Sequence, residues 1–326
     1  MPARLTGAIV IAVATLAIAG CGSDSSADPD TEGQPAPATD LFPFPEGRTA
    51  EELIADIGVT NDIVISPAGQ TYEPGKNRVS FGVFNVDRSQ INDAEVAIYA
   101  SPGSDGVADG PFPARIESLK TDPAFEARTT ATDPDSAVAA YVTDVSFDRP
   151  GEWRLTALVK QDDQLLASRL PSIEVGPYPK IPDVGDRAPR IHTPTVDDVG
   201  DISEIDTRTP HDTMHNVDLY DAYGKQPVVL LFATPALCTS RVCGPVVDIA
   251  EQVKSELGDE AAFIHQEVYA NNDPSQGIRS QLRAFGLQTE PWLFVLDDAG
   301  RVSARIEGPF DAAALEDAVR RAQSSR

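Results

Sequence analysis

The chain has 326 residues and a formal net charge of −25. That length suits two domains with tails, and that charge disfavours nucleic acid as a partner, because phosphate binding needs clustered Lys and Arg. The acids are scattered rather than set at metal-loop spacing, which reads as solubility outside the cell and gives no calcium site. No cofactor is expected.

Arg4 precedes a charge-free, mostly apolar run from Leu5 to Ala19. Its length suits a signal-peptide core and falls short of the roughly 20 residues of a bilayer span. The run ends in Ile18-Ala19-Gly20-Cys21, which resembles the bacterial lipoprotein lipobox. The resemblance implies that residues 1–20 are a signal peptide and that Cys21 is acylated (palmitate chemistry). It implies a cell-membrane location, lipid-anchored on the extracytoplasmic face. The plainer alternative is a secretory signal with a chance cysteine. Two acyl chains suffice for stable anchoring. Giving Cys21 this role leaves Cys238 and Cys243 as a pair, which resolves an otherwise odd cysteine count.

Residues 21–58 are rich in Ser, Asp, Pro and Ala and predict a disordered tether with one short helix over Ala50–Ile57. Leu41 to Pro45 is an apolar, proline-flanked segment suited to docking. Residues 59–175 then show period-two alternation over Arg78–Val86, Ala94–Ala100, Val138–Phe147, Trp153–Val159 and Gln164–Val175, with Gly/Pro turn signals between. Such short alternating strands predict an antiparallel β-sandwich. The corner Phe147 to Leu155, with Pro150-Gly151 and Trp153, resembles that of Ig-like domains in extracytoplasmic bacterial proteins. Tyr141 and Trp153 are expected in the core. The region has no histidine and no catalytic constellation, so it reads as a spacer or docking module.

A proline-dense linker spans residues 176–183. The next strand is the apolar run Val228–Ala233, followed by a polar loop with Cys238 and Cys243 and a helix from about Pro245 to Leu257, where Val246, Ile249, Ala250 and Val253 recur at helical spacing. Ala261–Val268 predicts a strand, Ile278–Phe285 a helix, Trp292–Asp297 and Arg301–Ile306 a hairpin, and Asp311–Gln323 a last helix. Alternating strands and helices of this kind form an α/β layered fold.

Val184 to Pro189, the strand–cysteine–helix order, and Phe285-Gly286-Leu287 followed by Pro291 resemble the thioredoxin-like superfamily over residues 184–326. The resemblance implies that Cys238 attacks, Cys243 resolves, and Pro291 is a cis-proline facing the disulfide. The spacing departs from the family: four residues separate the cysteines instead of two, and Cys243 stands closer to the helix start. The whole is expected to be multidomain, an Ig-like antiparallel β-sandwich followed by an α/β thioredoxin-like fold.

Three readings of the pair follow. In the first, the chain is a thiol–disulfide oxidoreductase whose partners are protein thiols or disulfides outside the cytoplasm, with Arg241 able to lower a thiolate pKa or else standing as a solvated loop charge. In the second, the disulfide is structural and the chain is a non-enzymatic binding lipoprotein. In the third, the loop resembles that of Sco-type copper chaperones, and copper is held by Cys238, Cys243 and either His265 or His215, with His211 and Met214 also close in sequence. That family's histidine before the final hairpin has no counterpart here, so no metal is favoured. A peroxidase fits poorly, because Thr234 lies four positions before Cys238 rather than three.

Overall fold

The computed structural model describes Met1 and residues 33–55, 57–59, 62–161 and 164–324. The signal segment, Cys21 and the tether up to residue 32 lie outside the described residues. Helix α1 (Ala50–Ile54) precedes β1 (Ile63–Pro67), β2 (Gly75–Asn85), β3 (Gln90–Ile91), β4 (Glu95–Pro102), β5 (Asp109–Pro113) and β6 (Arg115–Ser118). After α2 (Arg128–Ala131) come β7 (Ala139–Phe147), β8 (Gly151–Gln161), β9 (Gln164–Arg169) and β10 (Ile173–Val175). These strands form two five-stranded antiparallel sheets. One runs β1-β2-β7-β6 with β3 beside β2; the other runs β10-β8-β4-β5 with β9 beside β8.

The two sheets share one core. Val79, Phe81, Val83, Tyr141 and Val145 from the first meet Val96, Ile98, Leu155 and Ala157 from the second. Successive residues point to opposite faces, so Ala97 and Tyr99 turn outward. They are fully buried all the same, because Phe42, Leu53 and Ile54 cover that outer face. The segment expected as a tether is therefore held at several points: Gln34 bridges to Ile116 on β6 of the first sheet, while Phe42, Leu53 and Ile54 pack on the second. Phe42 is 2% exposed, and burying a side chain of that size contributes about 1.5–3 kcal/mol. The Tyr99 hydroxyl donates to the Pro43 carbonyl at 2.7 Å, and Thr49 and Glu52 form a capping box at the start of α1.

The segment predicted as one strand over Gln164–Val175 is two, β9 and β10, both along the same edge of β8. Pro171 falls between them, and proline has no N–H for a ladder. Strand β5 escaped the alternation pattern because it carries Pro111 and Pro113. It is tolerated because it lies at a sheet edge.

The second half holds α3 (Leu219–Ala222), β11 (Val228–Phe232), α4 (Cys243–Leu257), β12 (Ala262–Gln266), α5 (Ser280–Ala284), β13 (Trp292–Leu296), β14 (Val302–Glu307) and α6 (Ala312–Ser324). Its sheet runs β12-β11-β13-β14, with β11 and β12 parallel and the other pairs antiparallel. Period two splits the strands between two cores. Val229, Leu231, Phe263, Leu293 and Val295 face α4 and α6. Val228, Leu230, Phe232, Ile264 and Phe294 face Leu282, Phe285 and Leu287 around α5.

The proline-dense segment over 176–183 is also packed rather than free. Ile181 is buried in the α5-side core, and the Tyr178 amide donates to Glu73 at 3.1 Å.

The two halves are joined through the α4 side. Leu119, Ala137 and Ala140 belong to the same core as Val246 and Val247. Gly244 is required there: a Cβ would stand 2.8 Å from the Thr130 hydroxyl. Arg208 is 4% exposed and completes the joint. Its Nε donates to Asp248 at 2.8 Å, and its two terminal nitrogens donate to the carbonyls of Pro210 and Phe125. The other Asp248 oxygen accepts the Ala127 amide at 3.0 Å. On the β14 side, Glu307 accepts the amides of Gln70 and Thr71, and Arg305 pairs with Glu73.

Candidate functional site

Cys238 and Cys243 are joined as a disulfide, with Cα atoms 6.0 Å apart, inside the ordinary range for such bonds. Helix α4 was expected from Pro245 and begins two residues earlier. Cys243 is therefore its first residue, fully buried. The preceding residue, Val242, offers no side-chain cap, so the first-turn amides of α4 and the positive end of its dipole are left for whatever sits there. Cys238 is partly exposed on the loop, with its Sγ 3.0 Å from the Ser240 hydroxyl. One sulfur is thus reachable and the other lies at a helix N-terminus.

The loop between the strand and the first cysteine is held from below. The Ala236 amide donates to Thr207 Oγ1 at 3.1 Å, and that hydroxyl donates to Glu267 Oε1 at 2.7 Å. Glu267 is fully buried and its other oxygen has no hydrogen-bond partner.

Arg241 has a left-handed backbone (φ 66°) and turns toward the first half of the chain. Its guanidinium meets Asp135 at 3.1 Å, the Arg88 carbonyl at 3.4 Å and the face of Phe84 at 5.1 Å. Its carbonyl accepts the Ala137 amide at 2.9 Å. With its side chain 19% exposed it is not a solvated loop charge; these contacts clamp the loop to the first half of the chain. A cavity of about 340 Å³ opens beside it, walled by Thr239, Ser240 and Arg241 on one side and Phe81, Phe84 and Arg88 on the other.

The Glu290–Pro291 bond is cis, and Pro291 leads directly into β13. Burial pushes the Glu290 carboxyl above its usual range, against a hydrogen bond from Tyr269.

The histidines lie elsewhere. His265 on β12 and His215 are buried beside Asp206 and Asp212, with one ligand-type atom from each of the four within 4.8 Å of the others. His265 Nδ1 is 2.7 Å from Asp212 Oδ2, and its Nε2 is 3.2 Å from the Ala233 carbonyl. Burial pushes the His265 pKa down, yet the Asp212 carboxylate wins and raises it to about 9. Asp212 is pushed up by burial but held well below the usual carboxylate range by the imidazoles of His265 and His215. Among the described residues, the group with metal-ligating geometry contains no cysteine. The copper set that paired Cys238 and Cys243 with His265 or His215 is therefore not assembled. Met214 is buried in the α4-side core, and His211 sits at the surface edge of the cluster, 3.3 Å from Asp206.

No family profile matches the sequence, and no curated protein matches it. Among solved structures, a proposed thiol:disulfide interchange protein DsbE from Chlorobium tepidum is 19% identical. The match covers 43% of this chain and 98% of that one, with a TM-score of 0.31. A thioredoxin-family thiol:disulfide interchange protein from Chlorobium tepidum TLS is 22% identical, over 42% of this chain and 94% of that one, with a TM-score of 0.29. Scores this low decide nothing about the site, whose chemistry rests on its own geometry.

Sequence reasoning found the cysteines and the proline and passed over Asp206, Asp212, Arg208, Asp248 and Glu267. For the aspartates a signal was present: Asp206, His211, Asp212 and His215 form a run of alternating acid and imidazole within ten positions. Asp248 gave none, since it stands in an amphipathic helix where an acid is ordinarily solvated.

Proposed function

We propose that the chain is an extracytoplasmic thiol–disulfide oxidoreductase, anchored to the membrane through Cys21, acting on protein thiols or disulfides. Residues 59–175 form its Ig-like β-sandwich unit and residues 184–326 its thioredoxin-like unit, with Cys238, Cys243 and Pro291 as the site. The observation that carries this reading is the asymmetry of the pair: a partly exposed Cys238 bonded to a buried Cys243 at the first position of α4.

That asymmetry assigns the roles. A substrate thiolate attacks Cys238 Sγ, the Cys238–Cys243 bond breaks, and its electron pair leaves on Cys243. The thiolate form is stabilised at the helix N-terminus. A second substrate thiolate then attacks the substrate sulfur of the mixed disulfide and expels Cys238. The substrate leaves oxidised by two electrons and the pair is left reduced; run backward, the same steps reduce a substrate disulfide. The Arg241 clamp holds the loop so that its outer side, next to the cavity, receives the substrate.

The test is insulin-disulfide reduction by the reduced protein, with Cys238→Ser and Cys243→Ser as controls. Turnover is expected from the parent and from neither variant. A parent indistinguishable from dithiol alone would leave the disulfide a structural staple.

A further inference from the structure

The chain has four histidines, and three of them surround two buried aspartates away from the disulfide. Asp206 and Asp212 have no exposed side-chain surface, and the guanidinium of Arg208, whose amide binds Asp206, is committed to Asp248. Two buried carboxylates without compensating charge are costly. His215 is buried beside them with its polar atoms unpartnered: its side chain is 1% exposed and neither ring nitrogen has a hydrogen-bond partner. Its Nε2 lies in the cluster, 3.4 Å from Asp212 Oδ1 and 3.7 Å from Asp206 Oδ2, and makes a hydrogen bond to neither.

We infer that Asp206, Asp212, His215 and His265 form a binding site for one divalent transition-metal ion of the zinc type. Two carboxylates balance a divalent charge, and two imidazoles with two carboxylate oxygens are a donor set that zinc takes in four-coordinate geometry. Bonds of that kind put neighbouring ligand atoms about 3.3 Å apart. The separations here run from 2.7 Å to at most 4.8 Å, so the site closes on an ion with small side-chain movements.

The surroundings fit as well. A metal-ligating histidine ordinarily donates its second N–H to a carbonyl or carboxylate, and His265 Nε2 faces the Ala233 carbonyl. Backbone amides of Arg208 and Asp212 fix the Asp206 carboxylate, and the Met214 amide fixes Asp212, each at 2.8 Å. His211, partly exposed and 3.3 Å from Asp206 Oδ2, marks the side from which an ion enters. The bound ion ties the 206–215 segment to β12 and, through Ala233, to the end of β11 from which the cysteine loop departs.

The experiment is titration of the chelator-treated, oxidised full chain with Co²⁺ and with Zn²⁺, its thiols being closed as the disulfide. Expected are one equivalent bound, a visible Co²⁺ absorption of four-coordinate nitrogen/oxygen type, and a raised melting temperature. His215→Gln weakens binding by more than about 10-fold. The Cys238→Ser/Cys243→Ser double variant binds as the parent does. The site does not exist if the oxidised parent takes up no stoichiometric Co²⁺ or Zn²⁺, or if the cysteine double variant loses binding while His215→Gln keeps it. Should His215→Gln fail to fold, the parent's Co²⁺ spectrum and the cysteine variant still decide, since sulfur ligation gives an intense charge-transfer band that nitrogen and oxygen do not.

Discussion

The two polar sites on the α4 side of the last sheet were built in opposite ways. The cysteine pair is local: five positions apart, on one loop and one helix start, with one sulfur facing outward. The His/Asp cluster is assembled from the 206–215 segment and a residue on β12, and its four side chains are buried. A local, partly exposed pair can change chemical state without disturbing the fold. A buried, multi-segment cluster cannot lose a charge without cost to the whole domain. The first arrangement suits turnover and the second suits support.

That contrast can be broken by substitution, and the largest effects are expected at the buried charges. Arg208→Met removes the partner of Asp248 at the joint between the two halves, and stripping one member of a buried pair costs about 3–5 kcal/mol. Urea unfolding should show it as a lower midpoint, together with loss of the contact to Phe125. An unchanged midpoint would mean that the joint is hydrated and the two halves are only loosely held.

The disulfide should matter less to stability than to reactivity. A loop of this length contributes about 2 kcal/mol by restricting the unfolded chain. Cys243→Ser should therefore lower stability by no more than that while abolishing exchange. A larger loss, with exchange activity absent from the parent too, would place the pair on the structural side of the contrast.

Arg241→Ala sharpens the comparison at the loop itself. The Asp135 pair is partly exposed, and such pairs are worth about 0–1 kcal/mol. The substitution should loosen the loop, seen as faster hydrogen exchange over residues 239–242. The pH dependence of Cys238 alkylation in the reduced protein should stay the same. A marked shift in that profile would show that the guanidinium acts on a thiolate after all.

The smallest effect is expected at Glu290. Its folded pKa is raised above the ordinary 4.5, so the folded state holds a proton that the unfolded chain has already released. The stability it contributes is fully present below about pH 4.5 and is lost as pH rises through the folded value. Glu290→Gln should flatten that decline, read as a smaller difference between unfolding midpoints at about pH 4 and about pH 7.

Legibility in the sequence followed the same local-versus-assembled divide. Strands such as Arg78–Val86 and Trp153–Val159 announced themselves by alternation, and Gly286 and Pro291 fixed the approach to β13. The apolar Leu41–Pro45 segment shows in the sequence as something that docks, and Ala50–Ile57 as a short helix, but not the surface that receives them. Only the fold reveals that Ala97, Tyr99 and Leu158 need a cover. Strand β5 was hidden by its prolines, which an edge position permits. The helix start was misjudged because Pro245 suits the first turn generally, and the structure places it third rather than first. The run Asp206, His211, Asp212 and His215 shows part of the cluster in the sequence, but its partner His265 on β12 lies 53 positions from Asp212, so the closed set of four shows only in the fold.

The most direct measurement is mixed-disulfide trapping with the two single-cysteine variants. Each reduced protein is challenged with a model peptide disulfide under native conditions, and the adducts are weighed by mass spectrometry. Cys243→Ser, which keeps the outward Cys238, should accumulate a one-to-one mixed disulfide. Cys238→Ser, which keeps the buried Cys243, should not. Equal trapping by both, or by neither until the protein is unfolded, would contradict Cys238 as the attacking sulfur and the exchange chemistry built on it.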